Sequence, residues 1–199
     1  MNGNEYIAQI LQREGVETLT CFPNNPLIEA AAKQGIRPVM FRHERGAVMA
    51  ADGYSRTSDR ERFGVVALQS QAGAENAMGG IAQAYACNIP ILVLPGGVNR
   101  NQISVRPNFS ADHFYRGLVK HIEPIYEPTQ VANVMRRAFH HLRNGTPGPV
   151  VVELTADVVN QEIPEESQTY TSPTMQRQQP SAGDIADAAK ALLAAKKPV

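Results

Sequence analysis

Short apolar segments alternate along the chain with longer segments in which apolar residues recur every three or four positions. The short segments are bounded by turn-forming residues and cover residues 16–22, 39–41, 63–68, 89–94, 120–125 and 149–154. Runs of this length between turns are typical of strands, and the spacing between them is typical of helices. The alternation predicts an α/β fold, with a doubly wound, mainly parallel six-stranded sheet flanked by helices.

The pattern changes after Leu154. Residues 161–180 are rich in Gln, Ser, Thr, Pro and Glu, a composition typical of a linker. An Ala-rich helix follows, beginning at Ser181 and running through Ala195. Because one helix cannot bury its own apolar side, we expect one domain over residues 1–160, a linker over 161–180, and the start of a truncated second domain over 181–199.

Composition and charge argue against several classes of function. The 199 residues are 43% hydrophobic, which is sufficient for a full core. Lys and Arg number 19 and Asp and Glu number 19, so the formal net charge is zero. This balance argues against a nucleic-acid or anionic-membrane partner. With no bilayer-spanning run and no signal peptide at the N-terminus, a cytoplasmic location is expected.

The cysteine and histidine content predicts no structural metal. Cys21 and Cys87 lie far apart in apolar surroundings, and we expect two buried free thiols rather than a disulfide. No Cys and His residues have the spacing of a zinc site.

Glu44 is the first candidate for chemistry. It follows the apolar residues 38–41 and begins a helix rich in Ala and Gly. Because residues 38–41 begin with a proline, they are interpreted as a buried strand that enters at an edge. A carboxylate is thus expected where this strand ends, and open parallel sheets bind ligands at the carboxyl ends of their strands. The alternative is that Glu44 occupies a first helical turn because acids favour the positive end of a helix. His43 is either a second acid–base group or a residue engaged in packing or a backbone hydrogen bond.

Four segments, in their order and spacing, resemble a known family. They cover residues 42–56, which begin Arg42-His43-Glu44, and residues 70–76, 89–93 and 145–150. Together they resemble the N-terminal, pyrimidine-binding domain of thiamine-diphosphate enzymes, in particular the acetolactate synthase large-subunit group. The resemblance covers about residues 4–159 and implies a flavodoxin-like domain. The helix after Ser181 looks like the start of that family's central domain.

The resemblance implies a catalytic role for Glu44. Its counterpart in the family hydrogen-bonds ring nitrogen N1′ of the cofactor's aminopyrimidine and activates the cofactor for attack on a 2-oxo acid. A carboxyl group suits this role because it must exchange a proton with a weakly basic ring nitrogen. The resemblance also implies a set of cofactor-binding residues, which comprises Glu44 together with Pro23, Asn24, Asn25, Ser70, Gln71, Gly73 and Asn76.

Two loops depart from the family's pattern. The first loop is shortened to residues 23–26, and the family's Ser-Gly-Pro-Gly becomes Ser70-Gln71-Ala72-Gly73. A glutamine at position 71 either reaches the cofactor or substrate or caps the following helix. His113, in a shortened segment, is expected to lie on the surface, and His140 and His141 are expected to be solvated.

The family binds Mg²⁺ and the diphosphate with a Gly-Asp-Gly motif and a later Asn, and these 199 residues contain no such segment. The resemblance therefore implies that another domain, supplied by a second subunit of a homodimer or tetramer, holds Mg²⁺. The small-residue faces of residues 47–53 and 74–84 suit such a contact.

The resulting hypothesis is that the chain forms the N-terminal part of a thiamine-diphosphate-dependent carboligase or decarboxylase. Such an enzyme is a transferase or a lyase and would act on a 2-oxo acid such as pyruvate. The chain alone is expected to be inactive. Two alternatives remain: a stand-alone pyrimidine-domain subunit of a split decarboxylase, and a non-catalytic α/β interaction domain.

Overall fold

The fold is built on one six-stranded sheet, seen in a computed structural model that describes residues 1–58, 62–176 and 179–197. The strand order is β2-β1-β3-β4-β6-β5, and each neighbouring pair is parallel. The strands are β1 (Thr18–Cys21), β2 (Arg37–Met40), β3 (Gly64–Leu68), β4 (Ile91–Pro95), β5 (His121–Ile125) and β6 (Val150–Leu154). The predicted α/β fold and parallel sheet are confirmed.

Helices connect the strands and cover both faces of the sheet. They are α1 (Gly3–Arg13), α2 (Asn25–Lys33), α3 (Glu44–Thr57), α4 (Ala72–Ala86), α5 (Ala111–Phe114), α6 (Val131–Arg143), α7 (Ala156–Val159) and α8 (Ala182–Ala194). Three short 3₁₀ turns lie at Arg100–Gln102, Pro128–Gln130 and Glu165–Ser167. None of the helices in the described ranges is long and apolar enough to cross a membrane.

Two hydrophobic clusters lie on opposite faces of the sheet. Apolar side chains of α1, α2 and α6 pack on one face, and those of α3, α4 and α5 pack on the other. Strands covered on both faces read as continuous apolar runs, which explains why β3, β4 and β6 were recognisable. The segment at residues 38–41, interpreted as a buried strand that enters at an edge, corresponds to the edge strand β2, but its Met40 is 56% exposed rather than buried.

The small residues of α3 and α4 allow these helices to pack closely on each other and on the sheet. A Cβ added to Gly64 would lie 2.2 Å from the backbone oxygen of Ala51 in α3. A Cβ added to Gly80 in α4 would lie 2.9 Å from Cγ1 of Val48 in α3. Ala51 and Ala77 are completely buried within the chain. Much of the small-residue face is therefore used inside this domain.

The two cysteines are free, as predicted, but they differ in burial. Cys21 is buried in β1, whereas Cys87 is exposed. The expectation of a buried thiol at Cys87 is wrong because the residue caps the carboxyl end of α4, where the chain leaves the core.

The first part of the segment expected to be a linker lies against the domain. Ile163 and Tyr170 are buried, and the Tyr170 backbone N–H donates to the Tyr6 hydroxyl at 3.0 Å. The Tyr170 hydroxyl in turn donates to Glu14. Residues 177–178 of this segment, and 198–199 at the chain end, lie outside the described residues. The residues of α8 are exposed, and the division into domains stays a prediction.

Candidate functional site

The site forms at the carboxyl ends of the strands, between β1 and β3, where the order of the strands in the sheet changes direction. The chain adds β2 on one side of β1, and then β3 and β4 on the other side. In open α/β sheets this reversal leaves a crevice between the loops that follow the two central strands. Here those loops are residues 22–25, after β1, and residues 69–71, after β3.

Glu44 lies beside this edge, at the first position of α3. His43 caps the helix, because the backbone N–H of Arg45 donates to His43 Nδ1 at 3.2 Å. His43 therefore makes the backbone hydrogen bond that was one of its two predicted roles. Glu44 is only 3% exposed, whereas Arg42 and Arg45 on either side of it are exposed.

The two oxygens of the Glu44 carboxylate have different surroundings. Asn76 Nδ2, from the second turn of α4, donates to Glu44 Oε2 at 3.2 Å. Oε1 lies beside Gly73, where an added Cβ would be 3.0 Å from it. No residue in the described ranges donates a hydrogen bond to Oε1. Oε1 is therefore available to a hydrogen-bonding group from outside the chain.

Four of the predicted cofactor-binding residues line a cleft of about 180 Å³, and Glu44 is not among the described residues that line it. The four residues are Pro23, Asn24, Asn25 and Ser70. The cleft residues carry amide and hydroxyl groups, and none of those described has a charged side chain. Asn24 Nδ2 donates weakly to the Leu68 backbone oxygen, at 3.4 Å, which ties the first loop to the end of β3.

Gly73 lies between this cleft and the carboxylate. A Cβ added to Gly73 would be 2.7 Å from Cβ of Gln69, which lines the cleft, and 3.0 Å from Glu44 Oε1. The structure therefore brings Glu44, Gly73 and Asn76 together directly. The lining of the cleft approaches this group at Gln69, which lies beside Gly73.

Gln71 is engaged elsewhere. Its backbone has φ 56° and ψ −115°, and its side chain makes no capping hydrogen bond to α4. Instead Gln71 Nε2 donates to Asn108 Oδ1 at 2.8 Å, and Gln71 Oε1 accepts from the Phe109 backbone N–H at 2.9 Å. The predicted capping role is wrong, and both ends of the side-chain amide bind the loop between β4 and α5.

Sequence reasoning missed Glu153, which organises the same loop. Glu153 is 7% exposed and accepts hydrogen bonds from the Ser110 hydroxyl and from the backbone N–H groups of Ala111 and Asp112. Burial raises the pKa of Glu153, and the two backbone donors partly oppose the increase. A lone acid in the apolar run of β6 was the available signal. Within the described ranges, no three His, Cys, Asp or Glu side chains are placed to hold a metal ion.

Comparison with known proteins identifies similar chains. The family model for "Thiamine pyrophosphate enzyme, N-terminal TPP binding domain" matches residues 1–124. The acetolactate synthase large subunit of Haemophilus influenzae is 34% identical over 213 residues, covering 100% of this chain and 36% of its own length. The acetolactate synthase isozyme 3 large subunit of Escherichia coli is 34% identical over 212 residues, with the same two coverages.

A further relative is the acetolactate synthase of Arthrospira platensis, which is 35% identical over 162 residues. That alignment covers 77% of this chain and 28% of the relative. The chain thus spans about a third of the length of these curated relatives.

Proposed function

The chain belongs to the thiamine pyrophosphate enzymes, as their N-terminal TPP-binding domain, and on this premise we propose that Glu44 binds the aminopyrimidine end of thiamine diphosphate. The observation that supports this proposal is that the two carboxylate oxygens of Glu44, a residue only 3% exposed, differ in their hydrogen bonding. Oε2 accepts from Asn76 Nδ2 at 3.2 Å, and Oε1 has no hydrogen-bond donor among the described residues.

Each neighbour of the carboxylate has a distinct task. Asn76 holds Oε2 and so fixes the orientation of the carboxylate. Gly73 leaves the space beside Oε1 open, which a Cβ at 3.0 Å would occupy. With the cofactor bound, Glu44 would hold and return a proton at Oε1 for a ring nitrogen, a task suited to a positioned carboxyl group.

The cleft whose lining residue Gln69 lies beside Gly73 suits a neutral heterocycle. Pro23, Asn24, Asn25 and Ser70 present apolar and neutral polar groups there, and the described lining has no charged side chain. A neutral ring with a few hydrogen-bonding atoms is bound by surfaces of this kind. We assign these residues to orientation of the pyrimidine. Gln71 contributes through the loop that it holds.

The activity of the whole protein follows by analogy with its relatives. When bound, thiamine diphosphate supplies the carbon nucleophile that attacks the carbonyl of a 2-oxo acid and accommodates the charge left when carbon dioxide departs. Because similar proteins are named acetolactate synthases, we propose a carboligase or decarboxylase acting on pyruvate or a related 2-oxo acid. The finer class is then a transferase or a lyase.

The remaining parts of this proposal lie outside the chain. Mg²⁺ and the diphosphate are bound by another domain, contributed by a second subunit of a homodimer or tetramer, in the cytoplasm. Neither alternative, a stand-alone subunit of a split decarboxylase or a non-catalytic interaction domain, is favoured by the match to acetolactate synthase large subunits over the whole chain.

The test is steady-state kinetics of the complete protein that carries this chain, with thiamine diphosphate, Mg²⁺ and pyruvate. Release of carbon dioxide and formation of acetolactate are measured for the wild type and Glu44→Gln. Glutamine keeps the shape but cannot take up a proton, so kcat should fall about 10²- to 10⁴-fold.

The matched control is Glu75→Gln, which changes an exposed glutamate of α4 next to Asn76 in sequence and should leave kcat near the wild-type value. Equal rates for Glu44→Gln and the wild type would contradict the assignment of Glu44.

A further inference from the structure

Gln71, in the turn between β3 and α4, has a backbone conformation that is unfavourable for its residue type. Its φ of 56° and ψ of −115° lie in a region that glycine adopts readily and residues with a Cβ avoid. Within the described ranges the other non-glycine residue with positive φ is Asn88, at 52°, and asparagine tolerates such angles well. Such conformations persist only where surrounding interactions hold them in place.

The interactions that hold Gln71 come from its own side chain. Nε2 donates to Asn108 Oδ1 at 2.8 Å, and Oε1 accepts from the Phe109 N–H at 2.9 Å. Asn108 is itself held, since its Nδ2 donates to the Ile103 backbone oxygen at 2.9 Å. The amide of Gln71 thus contacts a loop segment, residues 103–109, that has its own internal hydrogen bond.

A second contact joins the same loop region to the first turn of α4. The Phe109 ring stacks on Phe114, with centroids 4.5 Å apart, and meets Tyr115 edge-on at 6.0 Å. The hydroxyl of the completely buried Tyr115 donates to the Ala74 backbone oxygen. The loop is therefore attached directly to Gln71, just before α4, and through Tyr115 to Ala74, in the first turn of α4.

The turn fastened in this way is the one that contacts Glu44. Gly73 lies beside Glu44 Oε1, and Asn76 donates to Oε2. Within residues 71–76, Gln71 and Ala74 thus contact the loop region, and Gly73 and Asn76 lie against the carboxylate.

We propose that Gln71 is a positioning residue that fixes the start of α4 to the loop of residues 103–109 and thereby holds Gly73 and Asn76 against Glu44. The functional meaning of this arrangement rests on the role of Glu44 proposed above. The attachment of the start of α4 to the loop does not depend on that role, because it concerns contacts within this chain.

Three variants of the complete protein separate the contribution of the Gln71 side-chain hydrogen bonds from that of its backbone conformation. Gln71→Met has a similar length but no hydrogen bonds and keeps the unfavourable φ. Gln71→Gly relieves the backbone and also removes the side chain, so it should fold even if Gln71→Met does not. Gln83→Met, at an exposed glutamine later in α4, is the matched control.

The first measurement is hydrogen–deuterium exchange without cofactor, read on peptides that cover residues 103–110 and 72–78. Both Gln71 variants should speed exchange in both peptides, by about tenfold where one hydrogen bond is lost, and Gln83→Met should not. Unchanged exchange in residues 103–110 would overturn the attachment, and unchanged exchange in residues 72–78 would overturn the positioning role.

The second measurement is the Kd for thiamine diphosphate with Mg²⁺, by calorimetry. Kd should rise several-fold in Gln71→Met and Gln71→Gly but not in Gln83→Met, and an unchanged Kd would overturn the link to Glu44. A wild type that binds no cofactor would contradict the proposed function instead, while the exchange measurement would still decide the positioning role.

Discussion

At the residue scale, Glu44 shows how much a single position can reveal in a sequence. An acid shortly after an apolar segment, at the start of a predicted helix, is recognisable in the sequence, and the structure places Glu44 at the first position of α3. Its pairing with Asn76, 32 positions later, depends on how α3 packs on α4. A long-range contact of this kind has no local signature. The hydrogen bonds of the Gln71 side chain with Asn108 and Phe109 were unpredictable for the same reason.

Gly73→Ala tests the space beside the carboxylate. The new Cβ would lie 3.0 Å from Glu44 Oε1 and 2.7 Å from Gln69 Cβ, so it should displace the carboxylate or the turn. We expect the Kd for thiamine diphosphate to rise about tenfold or more, equivalent to about 1.4 kcal/mol. Calorimetry on the folded variant measures this effect. A wild-type Kd would show that Gly73 does not shape the site.

At the element scale, the strands and long helices were predictable because their apolar patterns are strong. The structure differs from the prediction where the burial of a residue depends on its position in the sheet more than on the local apolar pattern. The segment at residues 39–41 is as apolar as a buried strand, yet Met40 is 56% exposed because β2 lies at the sheet edge, where the neighbouring elements cover it less completely. Likewise, His140 and His141 were expected to be solvated, but both are half-buried, and His141 stacks on His121 of β5 with centroids 4.1 Å apart.

A pair of glycine variants tests the packing of α3 on the sheet. In Gly64→Ala the new Cβ would lie 2.2 Å from a backbone oxygen of α3, and because backbone cannot move aside cheaply we expect a loss of several kcal/mol. In Gly53→Ala, within α3, the Cβ would meet no heavy atom within 4 Å, so we expect a gain of about 0.5–1 kcal/mol from helix propensity.

Urea denaturation measures both free energies of unfolding. Equal stability for the two variants would contradict the close approach of α3 to β3.

At the scale of the whole molecule, the stacked histidines predict how the free energy of unfolding depends on pH. Burial, and then the neighbouring His121, lower the pKa of His141 to about 4. Burial also lowers the pKa of His121, and the nearby Glu123 only partly offsets this. Other charges near this stack are Lys120 and Arg137, which both oppose protonation of His121. Both imidazoles are therefore neutral in the folded protein at pH 7.

Because the folded pKa lies below the unfolded value of about 6.5, the unfolded chain binds more protons in acid. The stabilisation is present above about pH 6.5 and is lost as the pH falls towards 4. With allowance for solvent screening of the partly exposed His141, we expect a loss of about 1 kcal/mol between pH 7.5 and 5. Urea denaturation of the wild type and His141→Gln at these two pH values measures it. An equally steep loss in His141→Gln would exclude His141 as the cause.

The central claim is that Glu44 exchanges a proton with the pyrimidine of thiamine diphosphate. The most direct measurement is the rate at which the C2 proton of the cofactor exchanges with deuterium in the complete protein with Mg²⁺, followed by NMR after acid quench. Exchange should be fast in the wild type and Glu75→Gln, and slower by about 10²-fold or more in Glu44→Gln. Equal exchange rates in all three proteins would contradict the claim.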